Sequence, residues 1–215
     1  MKLIFDYDDV IVDSSKIKAA LFKVLADRGF PNAARDYALW RSSGKVFSYR
    51  DFLVSVDSSL GFPENKELQD SLYNNIIAVS GSSVKPEILE IMRRYRPENC
   101  YIVTNGTEED QMQKIRESIG EDSVRQIYVV SGSKRDVIKE ICLRHKDDEV
   151  IFIDDKAHYL NDIHGEGYEN LKTVLFNEHG LENLKAEIEE SLKEERERQM
   201  YQPRNLPPQP PQGLH

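Results

Sequence analysis

The sequence has 215 residues, with 29 Lys and Arg against 38 Asp and Glu, for a net charge of −9. A chain this acidic repels a phosphate backbone, which excludes nucleic acid as the expected partner, and no run approaches the ~20 apolar residues of a membrane span. The 39% hydrophobic and 31% charged content suits a folded core with a polar appendage, and an anionic substrate would need a local cation, either a metal ion or a buried lysine.

Leu3-Ile4-Phe5 reads as a first strand ending on Asp6. That carboxylate arrives before a signal-peptide core could form. Cys100 and Cys142 sit singly in apolar runs, so a cytoplasmic protein with reduced, buried thiols is expected. From about Ser14 to Ser83 no strand pattern occurs. A helix carrying Leu21, Val24 and Leu25 runs up to Arg28-Gly29, and helical fragments follow around Tyr49 to Val56 and Glu67 to Ile77. Gly81-Ser82-Ser83 reads as a return hinge. Pro86 opens a helix with Ile88, Leu89, Met92 and Tyr95 on one face.

Tyr101-Ile102-Val103 is a second strand, and Thr107 then caps a helix with Met112, Ile115 and Ile119 as its stripe. Ile127 to Val130, Val150 to Ile153 and Thr173 to Phe176 complete five strands. A helix bearing Val137, Ile138, Ile141 and Cys142 lies between the third and fourth. The strands are continuously apolar, as in a parallel sheet covered on both faces, so the expected fold is a doubly wound, Rossmann-like α/β core. Residues 1–13 and 84–192 would form that core, with 14–83 as a helical insert. Residues 193–215 would be a charged helix end and a proline-rich tail expected to be disordered. A protein partner with an aromatic groove could take that tail, but a tail without a partner is the plainer expectation.

Chemistry gathers at the strand ends. Asp6 and Asp8 stand two apart, and period-two geometry would point both side chains out of the carboxyl edge, where open α/β sheets bind ligands. Paired carboxylates repel unless a cation separates them, which suits Mg²⁺. Thr104 ends the second strand, where its hydroxyl and the backbone N–H of Asn105 can hold a phosphoryl oxygen. Lys134 begins the helix after the third strand, placing an ammonium against developing charge. Asp154 and Asp155 end the fourth strand as a second acidic pair.

In this order the four features resemble the motifs of the haloacid dehalogenase superfamily. Phe5-Asp6-Tyr7-Asp8-Asp9-Val10 is similar to the first motif, and Thr104, Lys134 and Asp154-Asp155 to the second, third and fourth. The resemblance covers about residues 1–177 and makes 14–83 similar to a C1 cap. It implies a phosphatase in which Asp6 attacks phosphorus and Asp8 gives and takes the proton. Mg²⁺ would be held by Asp6, the Asp8 backbone carbonyl and Asp154, with Asp155 either a direct ligand or a partner of one. The expected substrate is a small phosphorylated metabolite. Trp40-Arg41-Ser42-Ser43-Gly44-Lys45 resembles the cap segment that reaches the active site, with Arg41 and Lys45 as candidates for the substrate's polar end.

Asp8 argues against dehalogenation, since haloacid-cleaving members lack that second aspartate. Asp9 stands where the family often has glycine, and Val10 where threonine is commoner. A phosphomutase of the same superfamily shares every motif, and a binding module working through the tail is the alternative outside enzymes. A response-regulator receiver fits poorly, because Asp51 and Asp57 have no strand before them.

Overall fold

A computed structural model describes residues 1–44, 46–59, 65–164 and 167–201. Lys45 and the proline-rich segment 202–215 lie outside them. Five parallel strands form one sheet: β1 (Lys2–Phe5), β2 (Cys100–Asn105), β3 (Gln126–Val130), β4 (Val150–Asp154) and β5 (Leu171–Leu175). They lie in the order β3-β2-β1-β4-β5. Each apolar run of the sequence is a strand.

The central strands β1, β2 and β4 are almost wholly buried because both of their faces are core, while the edge strands β3 and β5 are only partly covered. Leu3, Phe5, Cys100, Ile102, Ile151 and Ile153 face one hydrophobic cluster. Their neighbours Ile4, Tyr101, Val103, Val150 and Phe152 face the other. β1 sits where the strand order turns back, with β2 on one side and β4 on the other. Sheets of this kind open a crevice for ligands beyond the strand ends at that point.

Between β1 and β2 the described residues form five α-helices, of which the first four are α1 (Ser14–Ala26), α2 (Ala33–Ser42), α3 (Tyr49–Ser59) and α4 (Lys66–Ser82). Helix α2 is a correction to the sequence reading, which placed no helix there. Only Ala33 of α2 is fully buried, and its Tyr37 and Trp40 are half-buried, so it shows no apolar stripe. What holds it is aromatic. The Tyr37 ring meets Phe22 at 5.5 Å and Phe47 at 4.7 Å, and Trp40 meets Phe52 at 5.8 Å, all edge-on.

The expected hinge also moves. Gly81 and Ser82 are the last residues of α4, and the chain turns at Ser83, after which Val84 bridges Val12. Gly81 serves contact instead, since a Cβ there would stand 2.8 Å from the Glu117 carbonyl oxygen.

The remaining helices are α5 (Pro86–Tyr95), α6 (Glu108–Ser118), α7 (Arg135–Arg144), α8 (Ala157–His164) and α9 (Gly180–Tyr201). Pro86 opens α5 and the Thr107 side chain caps α6, as expected. The buried face of α6 differs from the expected Met112, Ile115 and Ile119: it is Asp110, Gln111, Lys114 and Ile115, with Met112 and Ile119 only half-buried. The charged run Lys193 to Arg198 continues helix α9. Both cysteines are buried and free. No described helix is long and apolar enough to cross a membrane.

Candidate active site

The carboxyl ends of β1, β2 and β4, with the loop after β3, surround a cavity of about 470 Å³. Asp6, Asp8, Thr104, Asn105, Gly106, Ser131, Gly132 and Lys156 line its floor and sides. Asp6 follows β1 directly and its backbone N–H donates to Ile153 O at 2.8 Å, so the nucleophile candidate is fixed between β1 and β4. Its carboxylate is almost fully buried and accepts from the Tyr7 N–H at 2.7 Å.

Lys134 is the electrostatic hub. Its ammonium is buried, 2.9 Å from Asp6 Oδ1 and 2.6 Å from Asp154 Oδ2. The rings of Phe152 and Tyr159 pack around it, with centroids 5.8 and 4.7 Å away. A second lysine, which sequence reasoning missed, completes the set: Lys156 Nζ lies 3.0 Å from Asp155 Oδ1 and 3.9 Å from Asp6 Oδ2. Its N–H also holds Asp154 Oδ1 at 2.8 Å. The available signal was its position directly after the Asp154-Asp155 pair. Burial opposes the charge on Lys156, but Asp6 and Asp155 hold its ionisation above the ordinary lysine value.

One carboxylate oxygen from each of Asp6, Asp154 and Asp155 lies within 4.8 Å of the others. Three carboxylates against two ammonium groups leave one negative charge uncompensated. Burial, opposed by Lys134 and reinforced by Asp154, pushes the Asp6 carboxyl up to about 7. An all-oxygen acidic cluster short of positive charge fits a hard divalent cation such as Mg²⁺.

Asp8 shares the cavity but not that cluster. The strand ends at Phe5, so Asp8 is delivered by a turn and a bridge to Val12 rather than by strand alternation. Strand alternation from Asp6, expected from the sequence, therefore does not orient Asp8. Lys114 Nζ grips both Asp8 oxygens at 2.7 Å, and Gln111 Nε2 donates to Oδ2 at 3.0 Å. Burial works to raise this carboxyl, yet the charge and hydrogen bonds of Lys114, aided by Gln111, keep it below the usual carboxylate range. Neither Lys114 nor Gln111 was singled out from sequence. Their signal was spacing: Lys114 is three residues from Gln111 and adjacent to Ile115, on the side of α6 that faces the core.

Asp9 adopts a left-handed backbone, φ 65°, a conformation that glycine takes more readily than a residue with a Cβ. Its carboxylate turns to the start of α1, accepting from Ser14 N at 3.1 Å and Ser14 Oγ at 2.7 Å, with Lys18 at 4.0 Å. Lys85 Nζ donates to the Asp9 carbonyl. Thr104 Oγ1 is buried beside the cavity without a protein partner, as a group awaiting a ligand oxygen would be. The Asn105 side chain donates to Gly132 O at 2.8 Å, tying the β2 and β3 loops together. Arg41 is exposed on the opposite wall with Lys18, Tyr37, Phe47 and Tyr49. Lys45 cannot be placed, since it lies outside the described residues.

The fold and the acidic strand-end site together define a Rossmann-like α/β architecture with a carboxylate-rich cavity at its strand ends. Solved structures specify it further. A haloacid dehalogenase-like hydrolase from Burkholderia xenovorans LB400 matches with a TM-score of 0.64 at 19% identity, over 80% of this chain and 82% of that one. A haloacid dehalogenase-type hydrolase from Bacillus subtilis, bound to magnesium, matches at 0.53 and 18% identity, over 81% and 85%. L-2-haloacid dehalogenase from Xanthobacter autotrophicus, with chloropropionic acid covalently bound, matches at 0.54 and 14% identity, over 81% and 76%. No family model matches the sequence, and no curated protein does. The chain has the haloacid dehalogenase-like fold.

Proposed function

We propose that the chain is a magnesium-dependent phosphomonoester hydrolase that works through an aspartyl-phosphate on Asp6, with a small phosphorylated metabolite as substrate. The observation that carries the reading is the state of Asp6. It is a buried carboxylate held 2.9 Å from Lys134, facing the same cavity as Asp8 and the unpartnered Thr104 hydroxyl. Residues 1–13 and 84–192 serve as the core in this reading, and 14–83 as a cap whose Arg41 and Lys18 face the substrate's far end.

Asp6, Asp154 and Asp155 would hold Mg²⁺, together with the Asp8 carbonyl that the resemblance implies. The bound ion supplies positive charge against the phosphoryl oxygens. The protein's residues do the rest. An Asp6 oxygen forms the bond to phosphorus as the ester P–O bond breaks, and the leaving oxygen takes a proton from Asp8. Water then attacks phosphorus, the bond to Asp6 breaks, and Asp8 takes the water's proton. Lys134 balances charge on Asp6 through both steps, and Thr104 donates to a phosphoryl oxygen. The Lys114 contact suits the second step, in which Asp8 must accept, better than the first. Asp8 and the intact Asp154-Asp155 pair favour phosphoryl transfer over dehalogenation.

Two substitutions test the reading. Asp6→Asn removes the nucleophile, so turnover of p-nitrophenyl phosphate should vanish and no adduct should form. Asp8→Asn loses proton transfer, worth ~10²–10⁴-fold, but with a good leaving group it still forms the adduct and cannot discharge it. Intact-mass measurement after acid quench should find a phosphate adduct on Asp8→Asn and none on Asp6→Asn. An adduct on Asp6→Asn, or wild-type release of halide from a 2-haloacid with no phosphatase activity, would overturn the assignment.

A further inference from the structure

Helix α6 turns Asp110, Gln111 and Lys114 toward the protein's interior. A lysine 2% exposed on a core-facing helix is costly unless its donors are taken up. Here Lys114 Nζ donates to both Asp8 oxygens at 2.7 Å. The ammonium also lies over the Tyr7 ring, 5.2 Å from its centroid. Gln111 Nε2 bridges Asp8 Oδ2 at 3.0 Å and the Asn105 carbonyl at 2.8 Å. Gly106 leaves room for that amide, since a Cβ there would come within 2.7 Å of Nε2.

The helical turn that carries Lys114 is itself fixed from the catalytic loop. The Tyr7 hydroxyl donates to Lys114 O at 2.9 Å and lies 2.8 Å from Ser118 Oγ. Asp110, one turn earlier, accepts from the Tyr49 N–H at 2.9 Å, so the same helix face also reaches the start of α3. The loop Asp6-Tyr7-Asp8 and helix α6 are thus stitched at two points, one through Tyr7 and one through Asp8. A carboxylate delivered by a turn, with no strand to orient it, has its rotamer set by those donors.

We propose that Lys114, assisted by Gln111, is the positioning residue for Asp8, holding its carboxylate in register with Asp6 across the cavity. The inference rests on the hydrolase reading above. Lys114 lines the same cavity, but its ammonium is taken up by both oxygens of Asp8 rather than by the Asp6 cluster, so its removal should affect turnover more than binding.

The test is a double-mutant cycle on p-nitrophenyl phosphate in Mg²⁺. Lys114→Met should lower kcat by roughly 10²-fold, the scale of a misplaced catalytic group, and leave KM nearly unchanged. In the Asp8→Asn background the same substitution should cost nothing further, because the group it positions is already disabled. Gln111→Met should show a smaller loss with the same disappearance, and it decides the question if Lys114→Met does not fold. A kcat within about threefold of wild type for Lys114→Met, or a full additional loss in the Asp8→Asn background, would overturn the proposal. Wild-type protein without turnover would instead overturn the hydrolase reading, and this inference with it.

Discussion

Replacing Lys134 with methionine isolates one charge in the site. The methionine retains most of the apolar stem, so packing against Phe152 and Tyr159 is largely kept. What is lost is the ammonium 2.9 Å from Asp6 and 2.6 Å from Asp154, both buried carboxylates. Lys156, 3.9 Å from Asp6, becomes the nearest remaining cation. Removing one partner of a buried ion pair typically costs about 3–5 kcal/mol. For a chain of 215 residues each kcal/mol moves Tm by about 2–4 °C, so Lys134→Met in chelator should melt roughly 6–20 °C below wild type. The double variant Asp6→Asn/Lys134→Met should recover part of that loss, because one stranded carboxylate is gone. Circular dichroism melts of the three proteins read this directly. A fall of less than about 2 °C for the single variant would show that Asp6 and Asp154 do not depend on the buried ammonium, which would refute the electrostatic account of the site.

Three further outcomes are expected. Excess chelator should abolish phosphatase turnover and added Mg²⁺ should restore it, whereas undiminished turnover in chelator would remove the metal from the reading. Asp9→Ala loses both Ser14 contacts and keeps the left-handed backbone, so chemical denaturation should show a loss of about 1–3 kcal/mol. Asp9→Gly should recover about 1 kcal/mol of it, and equal stabilities would mean that the backbone conformation costs nothing. A chain ending at Tyr201 should melt within about a degree of the full protein, because the described side chains of α9 from Glu195 onward are exposed; a fall of several degrees would show that the tail packs on the core.

The central strands were legible because they are sandwiched: Leu3, Ile4 and Phe5 are all apolar, although they serve two different cores. Thr104, Lys134 and the Asp154-Asp155 pair were legible for a related reason, since each sits at or just beyond a strand end, and the strand ends could be found. Other parts were hidden by their chemistry. Helix α2 is held by ring edges at Tyr37 and Trp40, which leave no periodic stripe. Lys114 and Gln111 occupy core-facing positions that an apolar reading of α6 assigns to solvent. The partner that justifies their burial, Asp8, is brought by a turn more than a hundred residues away in sequence. Period-two reasoning placed Asp8 in the cavity for the wrong reason, because the strand it assumed stops at Phe5.

The central place of β1 bears on how the chain comes together during synthesis. It is made before both of its neighbours: Leu3 pairs with Cys100 and Lys2 with Val150, so one hydrogen-bonded edge waits for β2 and the other for β4. Long-range parallel pairing of this kind is slow, because chain closure precedes any reward from contact. Meanwhile α1 to α4 can condense locally around their ring cluster, while Leu3, Ile4 and Phe5 stay exposed. That apolar stretch is where a stalled or truncated chain would aggregate or recruit a chaperone, and Asp6, the proposed nucleophile, follows immediately after it.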